Sequence, residues 1–282
     1  MSVVMLSNEQ VFSVLRTLSA RRADLFQIES LIPQLAQAMK APCSNLADAR
    51  DALADPYLAF RAMIGHYAFA KRGKDRHEYA ALAVEALDDP MPNANEFAAL
   101  LAGGHAGDRL WQSFAAVCTR HNRKVNEQLN RGVFEGLGDF ATEIYQSDGI
   151  GNIWTTLLES IMRRGRAEPV YHQIVNIRGI GPKVGSLLLR DMVAIYQMED
   201  RIEPIDYHYL QPVDAWTRKA GPILSSEICE GAPDWIVAGK LAKLCRRNRV
   251  SGVRFSQGMQ YLAVSEVQNI HLLPAHLERL AT

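Results

Sequence analysis

The sequence has little cysteine and no closely spaced cysteine pair. Only four cysteines occur among 282 residues, at positions Cys43, Cys118, Cys229 and Cys245. Zinc sites and iron–sulfur clusters are usually built on Cys-x-x-Cys pairs, so neither kind of site is expected. Reduced, mostly buried thiols are typical of cytosolic proteins, and the sequence therefore predicts a cytoplasmic protein.

Long apolar runs and a leader pattern are also missing. No stretch of about 18 consecutive apolar residues occurs, so no membrane span and no membrane partner are predicted. The first twelve residues, MSVVMLSNEQVF, contain no basic region followed by a long apolar stretch. No signal peptide is therefore expected.

Neither sign of charge is in excess. Thirty-one lysines and arginines balance 31 aspartates and glutamates. Proteins that coat nucleic acid are usually basic, so this balance argues mildly against that class. The cations are nevertheless clustered, and these clusters predict a local surface that faces phosphate groups. The basic runs are at residues 71–77, 120–124, 163–166 and 240–249.

Alternating strand patterns and Asn-Gly turns are absent, whereas helical periodicity extends over most of the chain. Val11, Leu15 and Leu18 fall on one face of a first helix, with Asn8 as its expected N-cap. The pair Asp55-Pro56 has the form of a cap followed by a proline at the first helical position. The sequence predicts an all-α fold.

The segment NIRGIGPKVGSLLLRD, residues 176–191, predicts two helices joined by a tight turn. Gly179 and Gly181 supply the backbone freedom that such a turn needs. Pro182 is suited to the first position of the second helix, which places Lys183 in its first turn. Backbone N–H groups at a helix N-terminus bind phosphate, so this turn can hold a nucleic-acid backbone without reading its sequence.

Within this segment, IRGIGPKVGSLLL resembles the helix–hairpin–helix of the HhH-GPD DNA glycosylase superfamily, which includes endonuclease III. That hairpin reads approximately L-P-G-V-G-x-K-x-A. Family members with a lysine at this position use it as a nucleophile, and Lys183 occupies that position here. The resemblance implies a two-lobed helical fold with a helix–hairpin–helix DNA-binding motif. It also implies DNA contacts from the hairpin, at Gly179, Gly181, Lys183 and Arg178. In the basic run at 240–249, the clustering of positive charge adds Arg246 and Arg247 as candidate DNA contacts.

The superfamily also has a catalytic aspartate after a glycine- and proline-rich loop. Two candidates follow the hairpin, Asp206 in EPIDYHYL and Asp214 in QPVDAWTRK. The family's aspartate typically follows Pro-Val at the start of a helix with an arginine downstream, and Asp214 with Arg218 fits this setting. Asp206 has no such context and is interpreted as a turn residue. The spacing from Lys183 to Asp214 is longer than in endonuclease III and is more similar to that of archaeal-type 8-oxoguanine DNA glycosylases.

The resemblance implies that Lys183 attacks C1′ of a flipped nucleotide, displaces the base and forms a Schiff base that permits β-elimination. Asp214 would stabilise the developing positive charge and assist proton transfer. A base must leave the stack before its glycosidic bond can be reached. Candidates for the base pocket or for a wedge that fills the gap are His66, Tyr67, Tyr207, His208, Tyr209 and Trp216. A structural monovalent or divalent cation at the hairpin is a family expectation, held by the backbone carbonyls of Val175, Ile177 and Ile180.

The expected domains are a six-helix-barrel-like domain at 57–195, which ends in the hairpin, and a second helical domain at 1–56 plus 196–282, which carries Asp214. The expected activity is removal of a damaged or modified base, with 8-oxoguanine favoured, and associated abasic-site lyase activity. The expected partner is double-stranded DNA containing such a base, bound by a monomer near the nucleoid without a required cofactor. Two alternatives remain, a monofunctional glycosylase for another modified base and a non-catalytic helix–hairpin–helix DNA-binding protein.

Overall fold

The computed structural model describes residues 5–69 and 76–281. Over these residues all regular structure is helical and no strand occurs, so the all-α prediction is confirmed. None of the described helices combines the length and the apolar character that crossing a bilayer requires.

The helices are numbered in chain order. In the described part of the chain the α-helices are α1 (Asn8–Thr17), α2 (Ala23–Phe26), α3 (Ile32–Met39), α4 (Leu46–Leu53), α5 (Pro56–Ala62), α6 (Arg76–Leu87), α7 (Ala94–Ala102), α8 (Ala106–Arg120), α9 (Glu127–Asp148), α10 (Ile153–Arg164), α11 (Glu168–Asn176), α12 (Pro182–Tyr196), α13 (Ala215–Leu224), α14 (Asp234–Arg247), α15 (Gly252–Tyr261) and α16 (Leu273–Leu280). Wider π-helical turns occur at Leu18–Arg22, Gln27–Leu31, Met63–Phe69 and Leu262–Val267, and 3₁₀ turns at Glu199–Arg201, Pro204–Leu210 and Ile270–Leu272.

Side-chain caps set several of the helix starts. Asp55 caps α5 by accepting from the Leu58 N–H, with Pro56 at the first position, as the sequence predicts. At α1 the prediction of the cap was wrong by one residue. Ser7 is the N-cap and forms a capping box with Gln10, whereas Asn8 is the first residue inside the helix.

The chain divides into two compact units with bounds that differ from the expected domains. Unit 1 comprises Met1–Leu31, Gly165–Tyr171 and Gly185–Thr282, and unit 2 comprises Ile32–Arg164 and His172–Val184. Compared with the expected domains, residues 32–56 lie in the unit that contains 57–164, and residues 185–195 lie in the unit that contains 196–282.

Hydrogen bonds explain where these bounds fall. The buried Asn152 donates to the carbonyls of Leu53 and Ala54 at 3.1 and 3.0 Å, which joins the end of α4 to α10 within unit 2. In unit 1, the buried Arg190 on α12 donates to the Gln260 side chain of α15 at 2.8 Å. Helices α11 and α12 each contribute residues to both units.

Each unit has an apolar core of its own. In unit 1 the predicted face of Val11, Leu15 and Leu18 is buried. It belongs to a core that also takes side chains from α13, α14, α15 and α16. In unit 2 the rings of Phe69, Phe114 and Phe134 pack at centroid distances of 5.0–5.3 Å. Such burial of apolar surface is the main favourable contribution to the stability of each unit.

Candidate functional site

The segment singled out by the sequence forms a tight turn between α11 and α12. Gly179 has φ +87°, a left-handed conformation that glycine adopts without a steric penalty. The Ile180 N–H donates to the Ile177 carbonyl at 2.9 Å, and both isoleucine side chains are buried beneath the turn. The predicted positions of the turn and of the proline that opens α12 are thus confirmed.

Two glycines of α9 form a seat for this turn in unit 2. A Cβ atom on Gly136 would lie 2.8 Å from the backbone nitrogen of Arg178 and 2.9 Å from its carbonyl oxygen. A Cβ atom on Gly132 would lie 3.1 Å from the side chain of the same arginine, and one on Gly179 would lie 2.7 Å from Val133. The turn therefore lies directly on the α9 backbone. The sequence analysis missed this seat, although its signal is the pair of glycines four residues apart.

Arg178, a predicted DNA contact, lies beside an acidic group. Its guanidinium pairs with Glu135 at 3.1 Å while the side chain remains 68 % exposed. Glu135 also pairs with Arg131 at 2.6 Å, and this contact raises the pKa of Arg131. A phosphate group that binds Arg178 must therefore compete with the Glu135 carboxylate.

Lys183 and its neighbours are exposed at the start of α12. Gly181, Pro182 and Lys183 are all on the solvent side, whereas Val184 is buried. A Cβ atom on Gly181 would meet no other atom within 4 Å, so the backbone at this point is open to an approaching group. Lys183 lies in the first turn of α12, beside the backbone N–H groups that have no partner within the helix.

Asp214 is the N-cap of α13 in unit 1, as its sequence context suggests. Its Oδ1 accepts from the backbone N–H of Thr217 at 2.9 Å and from the hydroxyl of the same residue at 3.1 Å. The residue is half-buried. One turn later, Arg218 donates to the Ala232 carbonyl at 3.1 Å and pairs with Asp234 at the start of α14. These contacts fix where α13 begins and which way the Asp214 carboxylate lies.

Asp206, the other aspartate, is part of the scaffold of unit 1. It is buried and accepts from Arg166 at 2.8 and 3.0 Å, and from the N–H groups of Ala167 and Glu168 at 2.8 and 3.0 Å. The last two bonds satisfy N–H groups at the start of α11. Burial alone would raise the pKa of Asp206, but these hydrogen bonds outweigh it and the pKa is lowered. A carboxylate with this many partners holds two segments together.

The aromatic side chains of the loop after α12 pack against one another and against α11. The ring of Tyr209 lies 3.9 Å from that of His208 and 4.6 Å from that of Tyr171, measured between centroids. Tyr207 donates to the Glu199 carbonyl at 3.4 Å, and burial raises its pKa. Trp216 packs against the core of unit 1. The structure thus brings His208 and Tyr209 together and places Trp216 at the edge of the core.

His66 and Tyr67 are fully buried in unit 2, at 1 % and 0 % exposure. A wedge must be exposed to enter DNA, and neither side chain is exposed in this structure. Their rings make an edge-on contact at 4.5 Å, and Tyr67 also faces Trp154. His66 lines a cavity of about 330 Å³, so its assignment to a pocket stays a prediction. The basic run at 71–77 lies mostly outside the described residues.

The basic run at the end of α14 contains an acidic partner. Glu227 pairs with Lys240 at 2.7 Å and Arg247 at 2.9 Å, with Lys243 at 3.8 Å. These cations lower the pKa of Glu227 to about 2. Arg246 is exposed. Of the two arginines predicted to contact DNA here, Arg247 therefore shares its charge with a carboxylate.

The predicted cation at the hairpin would use backbone carbonyls. One of the three, that of Ile177, already accepts the Ile180 N–H, and a carbonyl retains a second lone pair after one hydrogen bond. The carbonyls therefore remain compatible with a cation, and the site stays a prediction. Among the side chains of residues 5–69 and 76–281, no group of three or more His, Cys, Asp or Glu is placed to hold a metal ion.

Comparison of this chain with known protein families, with curated proteins and with solved structures finds no match.

Proposed function

We propose that this chain is a DNA glycosylase of the helix–hairpin–helix type, with an associated abasic-site lyase activity that uses Lys183. The observation that carries the proposal is the turn between α11 and α12. It combines a left-handed Gly179, an exposed Gly181 with open space around it, and a lysine in the first turn of the following helix.

The open backbone at Gly181 supports the binding step. Free N–H groups at the start of an α-helix, together with its partial positive charge, favour an anionic oxygen at this point. Because no side chain covers Gly181, a DNA phosphate can approach these groups closely. Contacts of this kind fix the position of a duplex without selecting its sequence.

The chemical step assigns different roles to Lys183 and Asp214. The neutral amine of Lys183 forms a bond to C1′ while the glycosidic bond breaks, and the base leaves with a proton. The nitrogen lone pair then forms a C=N bond as the C1′–O4′ bond breaks, and O4′ takes a proton to become a hydroxyl group, which gives an open-chain Schiff base. Abstraction of a C2′ proton then breaks the C3′–O bond and releases the 3′ phosphate. Asp214, held at the start of α13 by Thr217, would stabilise positive charge at C1′ in the first step.

The proposed substrate is double-stranded DNA with a damaged or modified base, and 8-oxoguanine is favoured because of the spacing from Lys183 to Asp214. The enzyme would act as a monomer and would need no cofactor, with at most a structural cation at the hairpin. A second candidate is a monofunctional glycosylase in which Lys183 binds phosphate and water attacks C1′. The exposure of Lys183 favours this alternative.

Assays of base release and of strand cleavage test the proposal. Duplexes carrying one 8-oxoguanine or one abasic site would be incubated with wild type, Lys183→Gln, Asp214→Asn and the control Lys40→Gln, which changes an exposed lysine outside the basic runs. Asparagine caps a helix as well as aspartate does, so Asp214→Asn should fold normally. The proposal expects both activities in wild type and the control and neither in the two site variants. Base release that survives Lys183→Gln would favour the monofunctional candidate, and binding without either activity would leave a DNA-binding protein.

A further inference from the structure

Helix α14 of unit 1 has an outer face that is largely exposed and whose contacts within the chain include ion pairs with Glu227. Its inner face is buried through side chains of Val237, Ala238, Leu241, Ala242 and Cys245. Residues four apart on a helix lie one above the other, so Trp235, Gly239, Lys243 and Arg247 form a ridge on the outside. We call these four residues the α14 ridge. It is about 18 Å long at 1.5 Å per residue.

Trp235 begins the ridge and is 69 % exposed. A tryptophan has a large apolar surface, and its exposure to water is unfavourable unless a partner covers the ring. By contrast, Trp154 is fully buried and Trp216 packs against the core. The exposed ring of Trp235 therefore gives the ridge an apolar surface that a partner can cover.

Gly239 lies in the middle of the ridge and has no packing reason to be glycine. A Cβ atom there would meet nothing within 4 Å, whereas one on Gly258 would lie 2.0 Å from the Leu18 carbonyl oxygen. Glycine is the least favourable residue in a helix interior apart from proline. Because the Cβ direction of Gly239 is open, another molecule can approach the helix backbone closely from that side.

The second half of the ridge is cationic. Lys243 and Arg247 are exposed, and Lys240, Arg246 and Arg249 lie on the same segment. Glu227 is the carboxylate that pairs with three of these five cations. The excess of positive charge favours an anionic partner. Lysine and arginine side chains are the usual protein contacts to the phosphates of duplex DNA.

We propose that the α14 ridge binds the phosphodiester backbone of duplex DNA. Gly239 is the point of closest approach, Lys243 and Arg247 contact phosphates, and Trp235 packs against the sugars. The ridge is as long as about five nucleotides of one strand of B-DNA. Glu227 competes with the phosphates for the same cations. The inference rests on the proposed function for its choice of DNA as the partner.

Binding of an undamaged fluorescent duplex, measured by anisotropy between 50 and 200 mM salt, tests the ridge. Each phosphate contact contributes about 0.9 to the slope of log K against log salt concentration. Lys243→Gln with Arg247→Gln should therefore reduce the slope by about 1.8. Glu227→Gln removes the carboxylate that competes with phosphate for these cations, and should tighten binding by about 2–5-fold. The control Glu143→Gln removes an exposed carboxylate of α9, in unit 2, and should not tighten binding beyond the general effect of one charge.

A variant at Gly239 separates binding from folding. Gly239→Leu should raise Tm by about 2 °C because leucine favours a helix, and should weaken binding at least fivefold because it blocks the approach. Unchanged binding in Gly239→Leu and Glu227→Gln would overturn the proposal. So would equal binding of the wild type to polyglutamate, since the ridge would then be a site for acidic polypeptides.

The failure of this inference is distinguishable from that of the proposed function. If wild type releases no base but the ridge variants change duplex affinity as expected, the ridge binds DNA and the glycosylase proposal is wrong. If wild type releases a base while duplex affinity is the same in all ridge variants, the glycosylase proposal stands and the ridge proposal is overturned.

Discussion

Replacing Gly136 by alanine would test whether the turn that carries Gly179 is seated directly on α9. The added methyl group would lie 2.8 Å from the backbone nitrogen of Arg178 and 2.9 Å from its oxygen. Ordinary contacts begin near 3.4 Å, so the turn must move away by about 0.6 Å. Overpacking of this kind costs about 1–3 kcal/mol. Alanine in place of glycine inside a helix stabilises the folded state by about 1 kcal/mol.

The net effect of Gly136→Ala is a loss of up to about 2 kcal/mol, which lowers Tm by up to about 4 °C in a chain of this size. Gly239→Ala is the matched control, because its methyl group meets no neighbour and should raise Tm by about 2 °C. Calorimetry of the two variants measures the difference. A displaced turn should also slow adduct formation on an abasic duplex about tenfold. If Gly136→Ala is as stable as Gly239→Ala and as active as wild type, the turn does not lie directly on the α9 backbone and the reasoning is refuted.

Three further predictions concern buried groups. Asp206→Asn should cost about 2–3 kcal/mol at pH 7 in denaturant unfolding. Because the pKa of Asp206 is lowered from 3.8 in the folded state, its contribution to stability is complete above that value. The difference between variant and wild type should therefore shrink as pH falls from about 4 through the folded-state pKa. A thiol reagent at pH 8 should modify the exposed Cys229 first and spare Cys118 and Cys245, because burial raises the pKa of Cys118 to about 11 and that of Cys245 further; equal rates would contradict their burial. Asn152→Ala should cost about 1–3 kcal/mol by leaving buried carbonyls of Leu53 and Ala54 without a donor, and a loss below 0.5 kcal/mol would contradict that.

Local features of the fold were predictable because their causes are local. The cap and proline at Asp55-Pro56 fix a helix start through groups within one turn. The left-handed Gly179 and the start of α12 at Pro182 follow from backbone restrictions of those residues alone. The buried face of α1 follows from periodicity, which records that a face is buried but not what covers it.

The features that sequence analysis missed depend on partners distant in the chain. The glycines of α9 leave room for Arg178, which is more than 40 residues away in the chain. The periodicity of the sequence does not reveal such a contact. Glu135 and Glu227 partly neutralise arginines that the sequence predicts as DNA contacts, Arg178 and Arg247. Tyr67 was a candidate for the base pocket or for a wedge, and its burial against Trp154 depends on a partner almost 90 residues away.

The measurement that tests the central claim most directly is the identity of the residue that forms a Schiff base with abasic DNA. Wild type would be reduced with borohydride on a duplex containing one abasic site, digested with trypsin and analysed by mass spectrometry. The account predicts a sugar adduct on the peptide of residues 179–190, GIGPKVGSLLLR, with the modified Lys183 left uncleaved. An adduct on any other peptide, or no adduct at all, would contradict the assignment of Lys183 as the nucleophile.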